Sequence, residues 1–204
     1  MRVLVACEFS GIVRDAFAAR GHDAWSCDLL PSERNGQHIQ GDILEQLGKG
    51  WDLMIGHPPC TYISYAGTAH WNQPGRCAKR LEALDFFRQL WEAPIEKICL
   101  ENPKSCASPV IAKYTQEIQP FYFGNKDFKT TWLWLKNLPP LVHQKTEDLL
   151  DSKTHTDRPE PYGYLKTTGK AIHWTDAHAP STDRASSRSR TFPGIAQAMA
   201  SQWG

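Results

Sequence analysis

Apolar residues come in two rhythms along this chain. Unbroken runs at "RVLVAC" (2–7), "WDLMIGH" (51–57) and "EKICLEN" (96–102) read as strands buried on both faces. "HDAWSCDLL" (22–30) reads as a further strand, ending at Asp28. Between these runs the spacing turns helical. "IVRDAFAARG" sets Val13, Ala16 and Phe17 at helical intervals and ends on Gly21, suited to a left-handed cap. Residues 78–92 bring Leu81, Leu84, Phe87 and Trp91 to one face, the clearest helix in the sequence. "SPVIAKYTQEI" (108–118) predicts another, with Ser108 as cap and Pro109 in its first turn. Strand and helix thus alternate over the first 118 residues, the pattern of an open parallel sheet with helices on both faces.

Beyond residue 118 the rhythm changes. "QPFYFGN" and "KTTWLWL" are strand-like, the second alternating Trp132 and Trp134 with Leu133 and Leu135, and predict an antiparallel hairpin at the sheet edge. Residues 143–191 are polar and without period, whereas the closing "PGIAQAMASQWG" puts Ile195, Met199 and Trp203 on one helical face. The expectation is α/β: one domain over 1–204, a mostly parallel sheet with an antiparallel edge hairpin, and a polar irregular segment at about 143–191.

Composition narrows the classes. No apolar stretch is long enough to span a bilayer, and the start "MRVLVACEFSG" does not read as a secretory signal, so the expectation is a cytoplasmic protein with no membrane partner. A formal net charge of +1 argues against a uniformly basic nucleic-acid surface and leaves room for a local patch. The six cysteines form no CxxC pair and no zinc spacing, so neither a disulfide framework nor a metal site is expected. Cys7, Cys27 and Cys99 lie in or beside apolar runs and read as small core residues.

Ligands of open α/β sheets bind at the carboxyl ends of the strands. Those ends carry "CEFSG", "CDLLPS", "HPPC" and "ENP", with "GDI" (41–43) ahead of the third strand. Gly11 marks either a plain tight turn or a close backbone approach to a ligand. Asp28 either accepts from ribose hydroxyls or simply opens a loop, and Asp42 is a weaker version of the same choice. In "HPPC" two prolines fix φ and offer no N–H, so Cys60 is presented with little backbone freedom. It is either a mounted nucleophile or a bystander thiol in a stiff loop. Glu101 is either a proton donor whose pKa is raised beside an apolar wall or a solvated strand end. His57 reads as a base or a hydrogen-bonder at the core edge, and His155, His173 and His178 as surface residues. Arg184, Arg188 and Arg190 form a small phosphate-contacting patch or a solvated loop.

Taken in order, "EFSG", "GDI", "HPPC", "ENP" and the closing "TFPGIAQAMA" resemble the DNA (cytosine-5) methyltransferases, over most of residues 1–142 and the last dozen. The resemblance implies a Rossmann-like S-adenosylmethionine-dependent methyltransferase fold. It implies that Cys60 attacks C6 of cytosine while Glu101 bonds N3, and that Asn102 helps hold the base. It also implies S-adenosylmethionine as cofactor, lined by Glu8, Phe9, Ser10, Gly11 and Pro58, with Asp28 at the ribose and Asp42 near the adenine. Lys129 stands in for the family's paired arginines, and Arg188 and Arg190 for substrate contacts. Rigidity at Cys60 then has a purpose, because attack on an aromatic carbon needs the sulfur held at near-attack distance.

The departures from the family are equally legible. Thr61 stands where the family has glutamine, Pro103 where it has valine, and the large target-recognition domain has no counterpart beyond 143–191. Flipping a base from duplex costs a few kcal/mol and needs contacts to flanking DNA. The expected partner is DNA, single- or double-stranded, with a free nucleotide as the alternative; either sequence specificity is low or a helper protein supplies it, in a bacterial or phage-infected cell. Two other readings are a methyltransferase for a different nucleotide or modified base, and a non-catalytic module that binds cofactor or DNA.

Overall fold

Four of the apolar runs become parallel strands, since a strand buried on both faces needs no alternation. In a computed structural model describing residues 1–146, 153–169, 171–172 and 189–204, these are β1 (Arg2–Ala6), β2 (Asp23–Asp28), β4 (Leu53–Gly56) and β5 (Lys97–Asn102). A three-residue β3 (His38–Gln40) joins them at one edge. At the other, β7 (Thr131–Lys136) runs antiparallel to β5 and to the outer β6 (Gln116–Ile118). The order is β3-β2-β1-β4-β5-β7-β6. Its reversal falls between β1 and β4, where a Rossmann-like sheet opens its ligand crevice.

Each sheet face has its own core. On one, Val3, Val5, Leu53, Ile55, Cys99 and Leu133 meet Val13 and Phe17 of α1 (Ile12–Ala18) and Ile195, Met199 and Trp203 of α4 (Pro193–Trp203). On the other, Leu4, Ala6, Met54, Ile98 and Leu100 meet Leu84, Phe87 and Leu90 of α2 (Arg76–Trp91). There Phe87 packs edge-on against Trp134 at 5.1 Å between ring centroids. The doubly wound arrangement and the closing helix are those expected from the pattern.

Several local expectations fail for identifiable reasons. On α2, Leu81 is 63% exposed. The first turns of that helix stack on a neighbouring loop, Arg76 and Lys79 over Tyr62 and Arg80 over Trp71, so contact with the sheet begins only at Leu84. The helix expected over 108–118 stops as α3 (Ala107–Val110), and residues 116–118 become β6, captured by the ladder to β7. Ser108 is not its cap; the hydroxyl accepts from the Tyr114 amide. "PFYF" (120–123) is a 3-10 turn with Pro120 in its first position, so the partner of β7 in the antiparallel edge is 116–118. Within the polar segment, β8 (Gly163–Tyr164) and β9 (Ala171–Ile172) form a small hairpin of their own. Among the described residues, no helix is long and apolar enough to cross a membrane.

The two faces of α2 give a direct check. Phe87→Ala should cost about 3–5 kcal/mol in urea unfolding, whereas Leu81→Ala should stay within about 0.5 kcal/mol. Comparable losses would mean that the buried stripe is misassigned.

Candidate active site

The end of β1 is built around a buried carboxylate. Cys7 takes a positive φ of 57° and turns the chain out of the strand. Glu8, 3% exposed, accepts from the Val13 amide at 2.7 Å, the Arg14 amide at 3.2 Å and the Ser10 hydroxyl at 3.2 Å. The opening of α1 is therefore capped from within the chain. Gly11 has φ 71°, and a Cβ there would meet Arg14 Nη2. Arg14 itself is 1% exposed, pairs with Asp15, and donates to the Ser26 and Ser32 hydroxyls and the Arg34 and Asn35 carbonyls. In "EFSG", then, Glu8 and Ser10 turn inward onto α1, and Gly11 makes room for Arg14. Half-buried Phe9 holds the loop after β2, its carbonyl accepting from Glu33.

Beside this turn stand two aspartates. Asp28 and Asp42 each give one carboxylate oxygen to a local backbone amide, those of Leu30 and Leu44. Both act on Cys7: burial pushes its thiol up, and Asp28, Cys27 and Asp42 push it further. Burial and the same two aspartates raise Cys27 to about 11. Next to Asp28, Leu29 and Leu30 are 74% and 53% exposed, a small apolar patch on the surface. The signal for it was present in "CDLLPS", where two leucines precede a loop.

The other half of the site lies where β4 and β5 end together. Their register pairs Gly56 with Leu100, which brings the next residues, His57 and Glu101, side by side. His57 Nδ1 is 3.1 Å from Glu101 Oε2, with side chains only 6% and 12% exposed. Thr191, from the segment leading into α4, sets its hydroxyl 3.5 Å from the His57 ring. Burial on its own raises the Glu101 carboxyl. The Lys129 ammonium, the His57 hydrogen bond and charge, and the Thr131 hydroxyl outweigh it and hold the group below the usual carboxylate range. This reverses the expected upward shift, because an apolar wall was anticipated where a lysine, a histidine and a hydroxyl stand. His57 is the hydrogen-bonder at the core edge, and Thr131 and Thr191 went unnoticed in the sequence.

Asn102 is 1% exposed and donates to the Pro58 carbonyl at 2.7 Å, so the amide meant for a base ties the β4 loop to β5. Its Oδ1 is buried with no hydrogen-bond partner among the described residues. Further along, Ile63 and Ser64 donate to the Cys60 carbonyl, Tyr65 to Lys104, and Cys106 to Ile63. The two loops are thereby zipped together. Pro58 is buried under the tie, and Cys60 sits half-buried beyond it. Burial raises the thiols of Cys99 and Cys106 as well; Cys60 and Cys7 are half-buried and Cys77 on α2 is exposed.

The remaining candidates divide. Lys129 reaches Glu101 electrostatically and lies 5.9 Å over the Phe192 ring. Arg190 makes a bidentate pair with Glu33 at 2.6 and 2.9 Å, a tie between loops where a substrate contact was expected. Arg184, Arg188, His173 and His178 lie outside the described residues. His155 is 8% exposed, contrary to the surface reading, because its Nε2 meets His143 Nδ1 at 2.6 Å and its ring stacks on Tyr122. Among the described residues, no group of three or more His, Cys, Asp or Glu side chains could hold a metal.

No family model and no curated protein matches the chain. Among solved structures, it is similar to a candidate DNA modification methyltransferase encoded within a prophage (E. coli). The identity is 16% and the TM-score 0.42, with coverage of 72% of this chain and 52% of the other. The chain thus spans about half the length of that protein.

Two outcomes follow from the β4–β5 junction. Asn102→Ala strands the Pro58 carbonyl and should cost about 1–3 kcal/mol, with faster amide exchange at Ile63 and Ser64; unchanged exchange would mean the tie does not hold the loop. Since folding depresses the Glu101 pKa, its stabilisation is complete above about pH 4.5 and fades as the pH falls through the lowered folded value. Urea midpoints measured on acidification should therefore fall less steeply for Glu101→Gln than for the parent protein, and equal slopes would contradict the assignment.

Proposed function

We propose that this chain is a single methyltransferase-like domain that transfers a methyl group from S-adenosylmethionine to C5 of cytosine in DNA, with Cys60 as nucleophile. The observation that carries this reading is the tie of Asn102 to Pro58, which sets the base of the Cys60 loop against the strand end bearing Glu101. Proximity of this kind can supply a large part of a catalytic barrier reduction.

The residues at the ends of β1 and β2 fit the proposed cofactor better than a dinucleotide. A pyrophosphate seeks helix amides, and here those of Val13 and Arg14 are taken by Glu8. Asp28 and Asp42 suit instead the ribose hydroxyls, the adenine amino group and the positive charge of a sulfonium ligand, and exposed Leu29 and Leu30 offer an apolar face to a purine. When bound, S-adenosylmethionine supplies an electrophilic methyl group.

The residues then divide the work. The Cys60 thiolate adds to C6, giving C5 carbanion character. Glu101 bonds N3 and stabilises that charge. It does so as a proton donor, and since it stands ionised in the free protein it first takes up a proton from solvent, with His57 hydrogen-bonded to it at 3.1 Å. Lys129 and Thr131 fix the carboxylate. After methylation a water molecule takes the C5 proton, the electrons of the C5–H bond restore the C5–C6 double bond as the Sγ–C6 bond breaks, the thiolate returns, and N3 gives its proton back to Glu101. Sequence specificity is assigned to a helper protein.

The test is DNA containing 5-fluorocytosine, in which C5 carries no removable proton. With S-adenosylmethionine, a covalent protein–DNA complex through Cys60 should accumulate and resist denaturation. Cys60→Ser should abolish both the complex and methyl transfer while leaving cofactor affinity unchanged. Cofactor binding without any adduct on single- and double-stranded substrates would overturn the proposal.

A further inference from the structure

A groove of about 580 Å³ opens on the β6–β7 side of the sheet, outside the site described above. Tyr65 and Trp132 wall it, Ser108, Pro109, Ile111 and Ala112 line it, and the exposed Lys113 stands at its rim. Its size is that of an ordinary ligand cleft. The aromatic wall is braced from behind. Tyr114 stacks on Trp132 at 4.0 Å and 8°, and the Trp132 Nε1 donates to Glu117 at 2.9 Å. Tyr65 is 40% exposed.

The groove is joined to the candidate site by short covalent and hydrogen-bonded paths. Trp132 lies directly across the ladder from Asn102, the neighbour of Glu101. Tyr65 follows Cys60 by five residues, and its amide donates to Lys104 in the loop that leaves Glu101. Cations outnumber acids around it. The Lys104 ammonium sits 5.8 Å over the Trp132 ring and pairs with Glu117. From Tyr65 toward α2, Arg76 and Lys79 lie over Tyr62, and Arg80 over Trp71. Cations interleaved with aromatic rings, in a chain whose net charge is only +1, mark a local track for a polyanion carrying flat groups.

We infer that this groove holds an unpaired nucleobase of a DNA single strand, next to the cytosine at Cys60, stacked between Tyr65 and Trp132 with its phosphate near Lys113. The inference rests on the proposed cytosine chemistry and adds to it the form of the substrate. A base inside a duplex has both faces covered by its neighbours and cannot enter such a slot. A single strand needs no base flipping, so its bases can enter the groove without a duplex being opened.

Anisotropy of a short fluorescent single-stranded oligodeoxynucleotide, and of its duplex, with the full chain and no methyl donor, tests this. Tyr65→Ala should weaken single-strand binding about tenfold, Tyr65→Phe should restore it, and neither should alter duplex affinity. Lys113→Glu should also weaken it and lower the slope of log affinity against log salt by about 0.7. Single-strand affinity within twofold of the parent for both Tyr65→Ala and Lys113→Glu overturns the inference, as does an equal loss on duplex, which would mean a general surface effect. Capture of a partner protein's apolar side chain, with no oligonucleotide bound, overturns it too. The 5-fluorocytosine adduct is read separately: an adduct with an indifferent groove sinks this inference alone, and a sensitive groove without an adduct sinks only the proposed chemistry.

Discussion

Two prolines in succession leave a loop with no amide to donate over that stretch, so whatever fixes it must grip its carbonyls. In this protein the grip is the Asn102 side chain on the Pro58 carbonyl. The arrangement of the site depends on that bond. Through it the loop after β4 is fixed to the exit of β5, just beyond the point where the strand register sets His57 beside Glu101, and the chain beyond Pro59 is set on a course that the Ile63, Ser64, Tyr65 and Cys106 amides then hold. The prolines remove freedom, and the asparagine chooses the one geometry that remains.

Around that junction the charges are sorted. On the β1–β2 side stand Asp28 and Asp42, with the helix amides already occupied by Glu8. Where β4 and β5 end, the Glu101 carboxylate is surrounded by Lys129, His57 and Thr131. The first environment suits a cationic ligand bearing hydroxyls, and the second holds a carboxylate ionised despite burial. Sulfur is sorted in the same way: four thiols are raised by burial, and Cys60 is half-exposed at the rim.

How much of this was legible depends on whether the decisive contacts were local. Strands β1, β4 and β5 could be read because burial on both faces leaves an unbroken apolar run, and α4 because Ile195, Met199 and Trp203 all reach the core. Residues 116–118 could not, since helical spacing there yields to hydrogen bonds from β7, a strand 15 residues away. Leu81 was misread because rings in another loop take the first turns of α2. Within the site, the strand-end positions of Cys60 and Glu101 were visible, but the sign of the Glu101 shift was not. It is set by Lys129, Thr131 and the paired His57, and no spacing rule links these to residue 101. "EFSG" looked like a ligand turn, although its glycine and glutamate serve Arg14 and α1.

The central claim is that the sulfur of Cys60 and the carboxyl of Glu101 border one pocket. Glu101→Cys, treated with a short bifunctional thiol reagent and mapped by peptide mass spectrometry, measures this directly. The account predicts a bridge between positions 60 and 101 that Asn102→Ala largely abolishes. Separate alkylation of both thiols, with no bridge between them, would contradict it.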